Sequence, residues 1–153
     1  MQSPRTRIGI SISEQKLTVE QEDGTVRTYP ISSSRFGLGT EEGSLKTPLG
    51  KFKIGEKIGH GMPAGTVFRS RVPLQSGEPL PQTEDLVMTR ILWLEGLEAE
   101  NANTKDRFIY IHGTRHEDKI GEPDSHGCIR MRNDDVIDLF NLVDEGTPVV
   151  ISE

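Results

Sequence analysis

The sequence predicts a mainly β domain with one short α-helix near its end, and three observations lead there. Only 33% of the 153 residues are hydrophobic, while 16 glycines and 9 prolines interrupt the chain often, a pattern that suits short strands joined by turns. The first half repeats an alternation of apolar and polar residues, which is the period of a strand with one face buried. Just one segment carries its apolar residues at helical spacing. A chain of 153 residues is one domain long, so 1–153 is expected to form a single unit with a core that needs neither disulfide nor metal staples.

Arg7 to Ile12, Lys16 to Glu20 and Thr25 to Ile31 alternate and read as strands, with Glu22, Asp23 and Gly24 turning the chain between the second and third. The polar stretch Ser32 to Leu45 leads into Lys46 to Ile54, a turn followed by another alternating strand. Gly55 to Gln82 is rich in glycine and proline and reads as a long surface excursion. Leu86 to Leu94 and Arg107 to His112 have the β-branched and apolar density of buried strands, separated by a polar loop from Glu95 to Asp106. Trp93, among Ile91, Leu92 and Leu94, belongs to the core on this reading.

The helix follows. Asn133 is expected to cap it, Asp134 and Asp135 place negative charge in its first turn, and Val136, Ile137, Leu139, Phe140, Leu142 and Val143 form its apolar face. Gly146 ends it, and Thr147 to Ser152 reads as a last strand.

Charge and hydropathy narrow the function. A net charge of −6, with no basic run and no interleaved aromatic stripe, argues against nucleic acid as partner. No stretch approaches the roughly 20 apolar residues that span a bilayer, and Met1 to Arg7 is polar with no export signal behind it. The composition suits a cytoplasmic protein and a mature exported domain equally.

Chemistry concentrates at Cys128, the sole cysteine, in the run Ser125-His126-Gly127-Cys128-Ile129-Arg130-Met131. A free thiol has a pKa of about 8.5 and is mostly protonated at neutral pH, so a nucleophilic cysteine needs a base. His126 is two residues away, a cramped local pair. His112 ends a predicted strand and can be held beside the thiol by the scaffold, which favours it as base. The loop Gly113 to Asp124 contains Gly113, Gly121 and Pro123, residues that let the chain return. The amides of Gly127 and Cys128 could point at a developing oxyanion, and Arg130, on the face of Cys128 if the segment is extended, could clamp a substrate carboxylate.

Bland readings compete with these. A lone cysteine is often an inert core residue, and Arg130 could be an arginine whose stem covers apolar surface. His112, His116, His126 and Cys128 could form a tetrahedral zinc set, although Gly113 and Thr114 after a strand argue against the helix that would bring His112 and His116 together. His60 and His116 read as solvated loop residues.

Taken together, Ile111-His112-Gly113-Thr114, the run Ser125 to Met131 with Arg132-Asn133-Asp134-Asp135, Thr47-Pro48-Leu49-Gly50-Lys51-Phe52 and Gly146-Thr147-Pro148-Val149-Val150-Ile151 resemble the L,D-transpeptidase catalytic domain of the YkuD family. The resemblance implies a β-sandwich of mixed sheets with one short α-helix after the catalytic cysteine. It further implies a cysteine acyltransferase without metal or cofactor, acting on peptidoglycan stem peptides in the periplasm or cell wall, with a part in wall biogenesis and cell shape and a target for carbapenems. Cys128 would be the nucleophile, His112 the base and the carbonyl of Gly113 its orienting group. Ser125, His126, Gly127 and Arg130 would line the substrate and oxyanion site. Alternatives within this reading are an L,D-carboxypeptidase that uses water as acceptor and a non-catalytic module that binds wall peptides. The loop from His112 to Ser125 is shorter than in many members, and residues 55–82 match no motif of the family.

Overall fold

The computed structural model describes residues 6–83 and 85–153; residues 1–5, at the polar start of the chain, and Glu84 lie outside the described residues. Its strands are β1 (Arg7–Ser11), β2 (Lys16–Glu20), β3 (Val26–Ser32), β4 (Gly50–Ile58), β5 (Val67–Arg69), β6 (Val72–Pro73), β7 (Val87–Gly96), β8 (Tyr110–Gly113), β9 (Ile129–Met131) and β10 (Pro148–Ser152). The helix α1 spans Asn133–Leu142, between β9 and β10. The strands join in the order β4-β10-β1-β2-β3-β9-β8-β7-β5-β6, and a further pairing of β4 with β7 closes the sheet on itself. Two pairs of strands, β1 with β10 and β8 with β9, are parallel within this otherwise antiparallel sheet. The fold is therefore mainly β and mixed, with one α-helix among the described residues, as the sequence predicts.

Alternation builds the core. Ile8 and Ile10, Leu17 and Val19, Phe52 and Ile54, and Val149 and Ile151 all point into one cluster, to which α1 adds Val136, Leu139 and Phe140. Each such side chain contributes roughly 1.5–3 kcal/mol by leaving water, before the entropy of ordering it is counted.

Three expectations need correction. Asn133 does not cap α1: the cap position is Arg132, and Asn133 is the helix's first residue. Its side-chain amide donates to Thr114 O at 2.9 Å, and the capping duty passes to Glu117, whose carboxylate accepts from the Asn133 backbone N–H at 2.8 Å. The excursion 55–82 is partly ordered as strand, because β4 runs on to Ile58 and β5 and β6 form a small hairpin docked on β7. Inside the polar loop 95–106, Asn101 is buried in a single 3-10 turn and donates to Leu49 O and Lys51 O, anchoring the loop to the start of β4.

Period two also divides β7, β8 and β9 into two faces. Leu92, Leu94, Ile109, Ile111, Ile129 and Met131 enter the main core. Ile91, Trp93 and Tyr110 point the other way into a second cluster with Phe68, and Cys128 packs against it. The candidate site residues His112, Cys128 and Arg130 stand on this second face.

Candidate active site

Parallel pairing of β8 with β9 sets Ile111 opposite Ile129 and His112 opposite Arg130. Cys128, one residue before β9, therefore comes level with Tyr110, whose backbone N–H donates to Sγ at 3.3 Å. Tyr110, His112, Cys128 and Arg130 share one face, and His112 and Cys128 are diagonal neighbours across the two strands. Cys128 is half-buried, and its sulfur lies 3.4 Å from the carbonyl oxygen of Phe108. Phe108 holds φ at 56°, unusual for a large residue, at the point where its carbonyl turns toward the thiol.

His112 is fully buried. Its Nδ1 is 2.5 Å from the carbonyl oxygen of Gly113, and because a carbonyl only accepts, Nδ1 carries the proton and Nε2 is the basic nitrogen. Nε2 is a buried atom without a hydrogen bond. Gly113 can serve this way only as glycine: a Cβ there would lie 2.3 Å from Asn133 Oδ1 and 2.8 Å from Met88 O.

Burial lowers the His112 pKa below its usual value, against the opposing pull of Asp85, so the imidazole is neutral at neutral pH. Burial, then the negative charge of Asp85, pushes the Cys128 thiol up to about 12. Both groups thus rest uncharged. A nucleophilic role for this thiol would require its proton to leave as the sulfur attacks, by general-base help rather than from a standing thiolate.

The segment before the cysteine is a braced turn. Gly127 adopts φ of 120°, and a Cβ on it would stand 3.3 Å from Lys46 O. Ser125 Oγ donates to Cys128 O at 2.6 Å and accepts from Gly127 N–H at 3.3 Å, while Thr47 Oγ1 donates to Gly127 O at 3.0 Å. Of the two amides expected to face an oxyanion, that of Gly127 is thus already engaged. Ser125 is fully buried and shapes the turn from within.

Arg130 departs from its expected part. It is 1% exposed, and its guanidinium is held by Asp85 Oδ1 at 2.9 Å and Asp124 Oδ2 at 2.6 Å, so two carboxylates of the chain itself occupy it. His126 is half-buried; its backbone N–H donates to Asp85 Oδ2 at 3.3 Å and its ring lies 3.1 Å from the Arg35 guanidinium. Its ring also borders a cavity of about 300 Å³ lined by Leu45, Arg107, Phe108 and Ile109, beside the carbonyl that meets the sulfur.

Asp85 is the site residue that sequence reasoning missed. It precedes β7, three residues past the excursion, and its Oδ1 lies 3.9 Å from His112 Nε2. The one clue was indirect: an arginine between Ile129 and Met131 in a buried strand needs carboxylate partners. Among the described residues no three or more His, Cys, Asp or Glu side chains are grouped to hold a metal ion, so His112, His116, His126 and Cys128 are not assembled as a zinc set.

Residues 5–151 match the YkuD family, described as the L,D-transpeptidase catalytic domain. Two Bacillus subtilis proteins named as candidate L,D-transpeptidases are similar: YqjB is 43% identical over 77% of this chain and 58% of its own length, and YkuD 30% identical over 95% and 65%. The chain thus spans about three fifths of the length of these relatives. Among solved structures, L,D-transpeptidase 3 from Mycobacterium tuberculosis with a faropenem-derived adduct aligns at a TM-score of 0.65 and 22% identity, over 98% of this chain and 61% of that one. The L,D-transpeptidase from Xylanimonas cellulosilytica aligns at 0.62 and 21%, over 99% and 62%. These two share the fold. With the family's match running from the first strand to the last and through the turn that carries Cys128, the chain belongs to the YkuD family of L,D-transpeptidase catalytic domains.

Proposed function

We propose that this domain is a cysteine acyltransferase of the cell wall that acts on peptidoglycan tetrapeptide stems as an L,D-transpeptidase. The observation that carries the reading is an imidazole with Nδ1 fixed on Gly113 O and Nε2 left unbonded, on the strand face that also carries the chain's one thiol. His112 Nε2 takes the proton of Cys128 as Sγ attacks the carbonyl between the L-centre of the diamino acid and the terminal D-alanine. The tetrahedral intermediate collapses to a thioester, and the imidazolium returns its proton to the departing D-alanine amine. An amine of a second stem then attacks the thioester, forming the cross-link and restoring the thiol. No metal or cofactor enters these steps.

Family membership supports this chemistry, as do the fixed tautomer and a cavity bordered by His126 and Phe108, residues close to Cys128. The same thiol is the expected point of acylation by carbapenems, and the substrate places the reaction on the wall side of the membrane. Incubation with purified disaccharide tetrapeptide, followed by mass spectrometry, tests the reading: cross-linked dimer is the expected product. Tripeptide alone would make the domain an L,D-carboxypeptidase, and bound but unaltered tetrapeptide would make it a binding module. Release of D-alanine by folded Cys128→Ala protein would refute the nucleophile.

A further inference from the structure

The machinery described so far is one thiol and one imidazole, yet a charged cluster, largely buried, stands beside the imidazole. Asp85 is brought by the segment before β7, Arg130 by β9 and Asp124 by the turn before Cys128. The side chains of Asp85 and Arg130 are 9% and 2% exposed, and that of His112 is 1% exposed. Asp85 uses its two oxygens differently. Oδ1 accepts from Arg130 Nε at 2.9 Å and points at His112 Nε2 from 3.9 Å, while Oδ2 accepts from the His126 backbone N–H at 3.3 Å. Arg130 is fastened on its far side by Asp124 at 2.6 Å.

Such a cluster is costly to bury and calls for a reason. With His112 neutral it holds two carboxylates against one guanidinium, an excess of one negative charge. With His112 protonated the charges balance. The nitrogen without a hydrogen bond is the one Asp85 faces, and it gains a donor hydrogen only when it accepts a proton.

We propose that Asp85 is a positioning residue for the reaction, held by Arg130 and the His126 amide so that its carboxylate receives the imidazolium formed when His112 takes the Cys128 proton. The Sγ–H bond breaks and its proton passes to Nε2, the sulfur electron pair forms the bond to the substrate carbonyl carbon as the C=O π pair moves onto oxygen, and the imidazolium so formed has the Asp85 carboxylate 3.9 Å from Nε2. Asp85 thereby favours the charged imidazole of the tetrahedral intermediate over the neutral imidazole at rest. This deepens the acyl-transfer reading in its kinetic consequence, whereas the placement itself can be tested without any substrate.

The groups that face His112 are Asp85 from the segment before β7, Arg130 from β9, Cys128 before it, the Gly113 carbonyl on its own strand and the apolar Ile91 opposite on β7. Asp85 and Arg130 oppose each other there, and removing the carboxylate leaves Arg130 to act alone, so both consequences lower the imidazole's basicity.

The test is an NMR titration of the full chain labelled with 15N-histidine and 13C-aspartate. In Asp85→Asn the His112 midpoint moves down by about one to three pH units, and Asp85→Glu recovers part of the shift. In the unaltered protein the Asp85 carboxyl carbon shows a second inflection at the His112 midpoint, a readout that survives even if neither variant folds. With tetrapeptide, the acid limb of kcat/KM in Asp85→Asn follows His112 downward and the plateau falls about tenfold. A His112 midpoint unmoved in folded Asp85→Asn, or a flat Asp85 carbon through that midpoint, overturns the proposal. A merely structural role would reduce the folded fraction without moving the midpoint. Absence of turnover by the unaltered protein would instead count against the acyl-transfer reading, with the titration still deciding the part of Asp85.

Discussion

Strands β7, β8 and β9 carry two opposite chemistries on their two faces. Inward, Leu92, Leu94, Ile111, Ile129 and Met131 are fully buried in a dense apolar cluster where every neighbour is replaceable by another hydrocarbon of like volume. Outward, His112, Cys128 and Arg130 alternate with them residue by residue, and each has specific polar partners: the Gly113 carbonyl, the Tyr110 amide, and the carboxylates of Asp85 and Asp124. The same pleat serves both, since a slip of one residue would send the imidazole and thiol into the main apolar core and set isoleucines against Asp85 and Asp124. The inner face thus pins the register, and the register aims the outer face.

That division can be broken from the outer side first. Cys128→Ala is expected to abolish acylation by tetrapeptide or carbapenem while leaving the urea midpoint nearly unchanged, checked by intact-protein mass spectrometry beside equilibrium unfolding. His112→Gln removes the basic nitrogen and should slow acylation by roughly 10²- to 10⁴-fold, measured as the rate of adduct formation. Next to Cys128 but on the inner face, Ile129→Ala should behave oppositely. It is expected to cost about 2–5 kcal/mol of stability by urea titration and to leave the pH dependence of Cys128 alkylation in the remaining folded protein in place. An Ile129→Ala protein as stable as the parent would show that the inner face does not pin the register.

The smallest effects are those of pH, and their signs are fixed. The His112 pKa falls below 6.5 on folding because of burial, so the unfolded chain takes up its proton first; stability from this group is complete above about pH 6.5 and is lost as pH falls toward the folded value. The Cys128 pKa rises from 9.0 to about 12, again through burial, so its contribution is complete below about pH 9 and is lost as pH rises toward 12. Urea midpoints of the parent and of Cys128→Ala should run together to about pH 9 and diverge above it, the parent losing more. Alkylation of Cys128 by iodoacetamide should likewise keep rising above pH 9; a plateau below pH 7 would reveal a resting thiolate and contradict two uncharged partners.

Much of this was legible beforehand. Alternation marked the strands, because a half-buried strand imposes period two on its residues; β2 was delimited at both ends by Lys16 and Glu20. The spacing of His112 and Cys128 suggested strand ends brought side by side, and their parallel pairing is of that kind. What escaped was non-local. Asn133 looks like a cap in isolation, but its side chain is drawn off by Thr114 and Thr89 from other elements. Asp85 lies 45 residues from Arg130 in an irregular segment with no period to mark it, and only the closed sheet brings them together. Arg130 was seen as extended and on the right face, yet its partners decide its part, and partners contributed by loops leave no local signature.

The most direct measurement is peptide mapping of protein quenched in acid during incubation with disaccharide tetrapeptide. The account predicts a thioester carrying the stem without its terminal D-alanine, on the peptide that contains Cys128 and absent from Cys128→Ala. D-alanine released with Cys128 unmodified at every time point, or an adduct on another residue, would contradict it.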